Sequence, residues 1–266
     1  MSATPPDVLL TGACGGIGQA LARKYLRAGS RVALLGRDVA VLDELHAEAP
    51  DRTRVYTPDV TDPGAMNAVA ADWVAHFGVP DVVIANAGVA GGVDPGLVED
   101  LAVLRRMLEI NLLGVATTLQ PFVGRMRERG SGSLVGIASI AGWRGMPGNA
   151  AYCASKGGLI RYLESLRAEL RPTGVRVVTV SPGYVRTPLV AGNTMRMPAL
   201  LEPDDAAARI VEGVARGRER LSVPRRAALL HRGVSLLPDA VADRLFLGQP
   251  RKPRVGEPGS TEIPGL

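Results

Sequence analysis

The chain has 266 residues, 46% hydrophobic and only 4% aromatic, with a net charge of +5. That is ample for a core of Val, Leu and Ala, in one large domain or two small ones. No apolar run approaches the roughly 18 residues of a membrane span, the start MSATPPDVLLTG lacks a basic and apolar leader, and Cys14 and Cys153 make neither a disulfide framework nor a metal site, so a reducing cytoplasm is expected.

Short apolar runs alternate with helical stretches. Residues 8–12 (VLLTG) read as a strand buried on both faces, followed by a helix with Ile17, Leu21 and Tyr25 at four-residue steps. RVALLG is a second strand, followed by a helix through Leu42 and Leu45, and RVYTPDV a third. A helix over about residues 64–77 stops at Gly78 and Pro80, and DVVIANAG is a fourth strand. A long helical region spans about residues 98–129, with Gly114 and Pro121 arguing that it is not straight. SLVGIAS and VRVVTVSPG are the fifth and sixth strands, with a helix beginning AAYCASK between them; a helix near residues 204–216 and the strand LSVP follow. Strands separated by helices mean βαβ units and a parallel sheet. The expected fold is α/β, a single doubly wound Rossmann domain with a seven-stranded parallel sheet flanked by helices, over residues 1–224. Residues 225–266 form a basic extension, whose Pro- and Gly-rich end is expected to fray.

TGACGGIG joins the first strand to the first helix. Its spacing of Gly12, Gly16 and Gly18 suits a tight turn that brings backbone N–H groups and a helix N-terminus to a pyrophosphate. A methyltransferase also uses such a loop, but wants an acid at the end of the second strand, where this chain has Gly36 and Arg37. A guanidinium there can grip a 2′-phosphate, which favours NADP(H) over NAD(H). Asp38 either caps the following helix or competes for Arg37. On the helix between the fifth and sixth strands, Tyr152 and Lys156 are four residues apart and share a face. An ammonium beside a phenol favours phenolate, and a phenol so tuned exchanges protons with a substrate oxygen. Ser139 sits at the carboxyl end of the fifth strand, where open α/β sheets place ligands.

With glycine loop, Tyr152 and Lys156 in this order, the sequence resembles the short-chain dehydrogenase/reductase family over about residues 7–224. The resemblance implies a cofactor loop containing Gly12, Cys14, Gly16, Ile17 and Gly18, and an adenine contact at Asp59 and Val60. It also implies the strand-end motif Asn86, Ala87 and Gly88, and a nicotinamide-side segment with Pro182, Gly183 and Thr187. Cys14 replaces a frequent Ser, and Gly15 fills a slot where many NADP-dependent members carry a base. Asn111, Ser139, Tyr152 and Lys156 match the family's catalytic tetrad. In the implied reduction, Ser139 and Tyr152 hydrogen-bond a ketone or aldehyde oxygen, hydride passes from the nicotinamide to the carbonyl carbon, and Tyr152 gives up its proton. Lys156 would lower the Tyr152 pKa and bond the nicotinamide ribose, Asn111 would hold a relay water, and the same residues serve alcohol oxidation. The resemblance also implies a homodimer or homotetramer.

The loops containing Trp143, Met146, Tyr184, Leu189, Met195 and Met197 are apolar and suit a bulky hydrophobic substrate, though covering the core or a subunit contact would use the same residues. Residues 216–254 carry ten basic and three acidic side chains, but with no aromatic interleaving or motif they do not indicate nucleic acid. This tail could lie on an anionic membrane surface, close the site or meet another subunit. His46, His76 and His231 are scattered, so no metal is expected. The alternative function is a dinucleotide-binding regulator without chemistry, which would not need all four tetrad residues.

Overall fold

A computed structural model describes residues 4–190, 197 and 199–266. The first half alternates β1 (Val8–Thr11), α1 (Gly16–Arg27), β2 (Val32–Leu35), α2 (Val39–Ala47), β3 (Thr53–Tyr56), α3 (Pro63–Phe77) and β4 (Val82–Ala85). Then come α4 (Asp100–Leu108), a widened π-type turn (Glu109–Leu113), α5 (Gly114–Arg129), β5 (Gly132–Ile137), α6 (Ala150–Leu170) and β6 (Val175–Pro182). The chain closes with α7 (Pro203–Ala215), β7 (Arg220–Val223), α8 (Arg225–Ser235) and α9 (Asp239–Phe246).

The seven strands form one parallel sheet in the order β3-β2-β1-β4-β5-β6-β7, the architecture expected from the alternation. Strand alternation divides the buried side chains into two cores. Val8, Leu10, Val32, Leu34 and Ile84 face one layer with Leu21, Tyr25 and Ile210 of α1 and α7. Leu9, Ala33, Leu35 and Val83 face the other with Trp73, Phe122 and Leu163 of α3, α5 and α6. The strand order reverses direction between β1 and β4, and a crevice outside the carboxyl ends of the strands opens there.

The long helical region breaks at the π-type turn before Gly114, while Pro121 lies inside α5. A Cβ on Gly114 would stand 2.8 Å from Val60 Cγ2, so the missing side chain lets this helix approach the loop after β3.

The chain end, where proline and glycine led to an expectation of fraying, packs back onto the body. Gly92 donates to Pro253 O at 3.0 Å, and Val255 donates to Gly92 O at 3.2 Å. Arg254 Nε bonds both Asp100 carboxylate oxygens at 2.9 and 2.8 Å, and Ile263 is buried with Met107 and Ile110. Long-range pairs of this kind supply the docking that local composition conceals. On the surface, Leu229, Leu236, Leu245 and Leu247 of α8, α9 and their connections stay exposed. Among the described residues, no helix is long and apolar enough to cross a membrane, and no cluster of His, Cys, Asp and Glu could hold a metal.

Candidate active site

A cleft of about 460 Å³ runs along the carboxyl ends of β1, β2, β4, β5 and β6. Its floor is the glycine loop. Gly12 has φ +66°, and a Cβ there would lie 2.8 Å from the Ala87 backbone; a Cβ on Gly18 would lie 2.0 Å from Gly12 O. Both positions therefore require glycine, which lets the loop close over the first turn of α1 and present its N–H groups to the cleft. Cys14, Gly16 and Ile17 line the same floor, with Thr187 packed against Gly16. Asn86 holds this loop from β4: its Nδ2 donates to Gly12 O at 3.0 Å and Thr11 O at 3.2 Å. Thr11 Oγ1 in turn accepts from the Asn86 and Ala87 amides at 3.1 and 3.2 Å. Ala87 and Gly88 continue the wall, so the expected strand-end motif is at the cleft, with the Asn86 side chain serving the protein's own backbone. An anionic pyrophosphate fits such a cradle of backbone donors.

At the outer end, Arg37 follows β2, is exposed, and forms no ion pair among the described residues. Asp38 does not compete for it. Its carboxylate accepts from Val41 N at 3.3 Å and caps α2. Cys14 Sγ donates to Asp38 O at 3.4 Å, fastening the glycine loop to the start of α2. Asp59 and Val60 line the opposite side. Burial works against the Asp59 charge, but the Thr61 amide and hydroxyl, at 2.8 and 2.7 Å, and Arg106 at 3.1 Å hold its carboxyl below the usual carboxylate range. Arg106 also donates to Pro264 O at 2.8 Å, bringing Thr261, Glu262 and Pro264 to the cleft wall.

The inner end lies between β5, β6 and α6. Ser139 follows β5 and caps a short turn, its Oγ accepting from Ala141 N at 3.1 Å. Tyr152 and Lys156 line the cleft one turn apart on α6, opposite Pro182, Gly183 and Thr187. Burial pushes the Tyr152 phenol above its ordinary 10, and a hydrogen bond from Ser139 opposes the rise. Burial also pulls Lys156 down to about 8. Its Nζ donates to Ile137 O at 2.9 Å. The expected lowering of the phenol by Lys156 is therefore corrected: the ammonium gives one of its three donors to a β5 carbonyl, and desolvation dominates at the ring.

Asn111 lies deeper than the cleft wall. It is fully buried in the π-type turn; Oδ1 accepts from Val89 N at 2.8 Å, while Nδ2 donates to Val89 O at 2.9 Å and Ser155 Oγ at 3.0 Å. Its side-chain amide is committed to the loop after β4 and to α6, which leaves the backbone carbonyl as the group that could hold a relay water.

Of the apolar loop residues, Met146, Tyr184 and Leu189 line a second cavity of about 80 Å³ beside Ser139 and Tyr152. Trp143 instead faces His231, ring centroids 6.4 Å apart, and Met197 lines neither cavity; Met195 lies outside the described residues. Sequence reasoning missed Lys252, whose Nζ stands 5.7 Å from the Tyr152 ring centroid. It also missed Arg106 and the returning tail, none of which sits in a local motif.

A family model described as short chain dehydrogenase matches residues 7–197. An uncharacterized oxidoreductase of Myxococcus xanthus is 40% identical, over 89% of this chain and 96% of its own length. A cis-4-hydroxycyclohexanecarboxylate dehydrogenase of Sinomonas cyclohexanicum is 35% identical, over 79% of this chain and 84% of its own. The crystal structure of a short-chain dehydrogenase from Streptomyces avermitilis has a TM-score of 0.79 at 31% identity, covering 92% of this chain and 96% of that one. In sequence over most of its length, and in the order of its strands, this chain belongs to the short-chain dehydrogenase/reductase family.

Proposed function

We propose that this oxidoreductase is an NADP(H)-dependent enzyme interconverting a ketone or aldehyde and its alcohol, with Tyr152 as general acid and base. The observation that carries the reading is the meeting of the Ser139 hydroxyl and the Tyr152 phenol on the wall of a cleft whose floor is a glycine cradle. A bound nicotinamide dinucleotide supplies or accepts the hydride.

The chain's own residues do the rest. Ser139 and Tyr152 present two hydroxyl donors to one substrate oxygen, and charge developing there is stabilised by groups already in place. A phenol raised above 10 stays protonated at neutral pH, so it is charged with the proton that reduction delivers to that oxygen. Lys156, pulled down to about 8, is close enough to neutrality to exchange a proton itself and so reload the phenol. Asn111 fixes the Val89 loop against α6, keeping the floor below Gly88 and Lys156 in register.

Arg37 supports the choice of NADP(H): Asp38 beside it caps α2, and the exposed Arg37 guanidinium, with no ion pair among the described residues, can meet a ribose 2′-phosphate. The exposed leucines of α8 and α9 suit a contact between copies of the chain, in a homodimer or homotetramer. Light scattering on the purified protein tests that assembly.

The catalytic reading is tested by following NADPH loss across a panel of ketones and aldehydes. Tyr152→Phe should lose about two to four orders of magnitude in rate, the usual worth of a positioned general acid. Turnover undiminished in that variant overturns the assignment.

A further inference from the structure

The second cavity, about 80 Å³, opens off the wall formed by Ser139 and Tyr152. Ala90, Met146 and Leu189 give it an apolar lining, and the side chains of Lys252, His231 and Asn149 bring nitrogen atoms to it. Among the described residues, no Asp or Glu lines it.

Lys252 is held there by its neighbours on both sides. Pro253 O accepts from Gly92 N at 3.0 Å, and Arg254 is clamped by Asp100 at 2.8 Å and Glu99 at 2.9 Å. On the other side, a Cβ on Gly148 would come within 3.1 Å of the Lys252 amide, so the loop before α6 and the tail lie against each other. The backbone at Lys252 is held by these contacts, and its ammonium lies over the Tyr152 ring, 5.7 Å from its centroid.

The acids that meet the neighbouring tail residues pair with arginines. Asp100 and Glu99 belong to Arg254, and Asp94 stands 4.0 Å from Arg251. Lys252 itself makes no salt bridge among the described residues. Burial pulls its ammonium down to about 8, which still leaves it mostly charged at pH 7. His231 has its Nδ1 buried with no hydrogen-bond partner, and burial lowers its basicity, so at pH 7 it stands as a neutral hydrogen-bonding group. The remaining titratable groups facing Lys252 are Tyr152, Tyr184 and Cys153, all pushed up by burial and uncharged at pH 7.

A half-buried cation with no counter-ion is unfavourable by itself. A cation–π contact of this length offsets it by only about 0.5–1 kcal/mol. A purely structural residue would serve the same packing as Met. What restores the balance is an anion delivered from outside, and the cavity open to it is lined by Ser139 and Tyr152, which the proposed reaction uses.

We propose that Lys252 binds the carboxylate of the substrate, with His231 as a neutral partner, so that this enzyme acts on small oxo-acids and the corresponding hydroxy-acids. The inference rests on the oxidoreductase reading and specifies its substrate class. It also revises the expectation of a bulky, wholly hydrophobic substrate: the apolar wall contacts the hydrocarbon between the two polar ends, and the tail supplies the charge. The acid end meets Lys252 while the carbonyl oxygen meets Ser139 and Tyr152.

The test uses the full chain, with acetoacetate, levulinate and acetylbenzoate, each beside its methyl ester. NADPH loss gives kcat/KM, and the rise in melting temperature in the presence of NADPH gives binding without turnover. The wild type should favour acids over esters by at least about tenfold, the worth of one charge-assisted hydrogen bond in a dry site. Lys252→Met should lower that acid-to-ester ratio by at least about tenfold, and Lys252→Arg should recover part of it. The melting shift with NADPH alone reports that each variant keeps its fold. An acid-to-ester ratio that Lys252→Met does not move, or equal melting shifts from acids and esters in wild type and variant, overturns the proposal. Esters reduced while acids are not would leave the oxidoreductase reading standing and remove this one. Acids that raise the melting temperature of the wild type but not of Lys252→Met, with no compound reduced, would uphold the anion site and count against carbonyl reduction as the reaction at it.

Discussion

Lys156 donates to the Ile137 carbonyl oxygen at 2.9 Å, and this bond places a nearly inaccessible ammonium between α6 and the end of β5. Burial pulls its pKa from 10.5 to about 8. The folded chain therefore binds fewer protons than the unfolded chain between those two values, and stability rises with pH across that window. Below pH 8 both states are charged and the folded state bears the whole penalty, about 3 kcal/mol at most. Loss of the Ile137 bond returns about 1 kcal/mol of this. Lys156→Met should thus melt higher than the wild type at pH 7, by about 2 kcal/mol, with the advantage fading toward pH 10.5. Paired melting curves across that range check it. A variant less stable than wild type at pH 7 would show that the ammonium is not penalised by its surroundings.

Arg37 and Asp38 are adjacent, yet only Asp38 is engaged, as the cap of α2. An acid placed at residue 37 would meet a ribose diol and repel a 2′-phosphate. Arg37→Asp should cut kcat/KM with NADPH by at least about tenfold, the worth of a charge-assisted contact, and raise the relative use of NADH. The ratio of the two cofactors' kcat/KM values reads the result. An unmoved ratio removes Arg37 from cofactor choice.

The parts of this molecule legible from sequence are those set by near neighbours. The alternation of Val8, Leu9 and Leu10 between two cores follows from strand period, and the stacking of Tyr152 on Lys156 from helix period. Gly12 and Gly18 were marked by their spacing, and the structure shows why no side chain fits. The illegible parts depend on distant partners. Arg254 finds Asp100 across 154 residues, and Arg106 finds Pro264 across 158. Without those pairs the tail reads as proline and glycine, and Lys252 has no visible destination. Asn111 was marked for the site, but the partner of its side chain, Val89, lies 22 residues away on another element.

Asn111 satisfies both backbone polar groups of Val89 as well as Ser155 Oγ, and all lie in the interior. Asn111→Leu would strand a buried N–H and a buried C=O, each costing about 1–3 kcal/mol. Denaturant unfolding should show a loss of about 2–5 kcal/mol. Asn111→Asp keeps the acceptor for Val89 N while losing both donor bonds, and should also lose activity. If either variant kept wild-type stability, the clamp would not be what holds this loop.

Asp100 anchors the tail through Arg254, and that guanidinium is the first cause of the carboxyl's depressed pKa, with burial opposing it. A depressed carboxylate lends its stability at pH above the unfolded value near 3.8, and that contribution disappears as pH falls through the lower folded value. At neutral pH the pair is fully formed, so Asp100→Asn should release residues 249–266 where the wild type holds them. Limited proteolysis at pH 7, read by mass spectrometry, should then cut the variant within this segment well before the wild type. Released tails carry Lys252 away from Tyr152, so the same variant should lose discrimination between an oxo-acid and its ester. Equal cleavage rates in variant and wild type would mean that Ile263 and the Gly92 backbone bonds hold the tail without the ion pair.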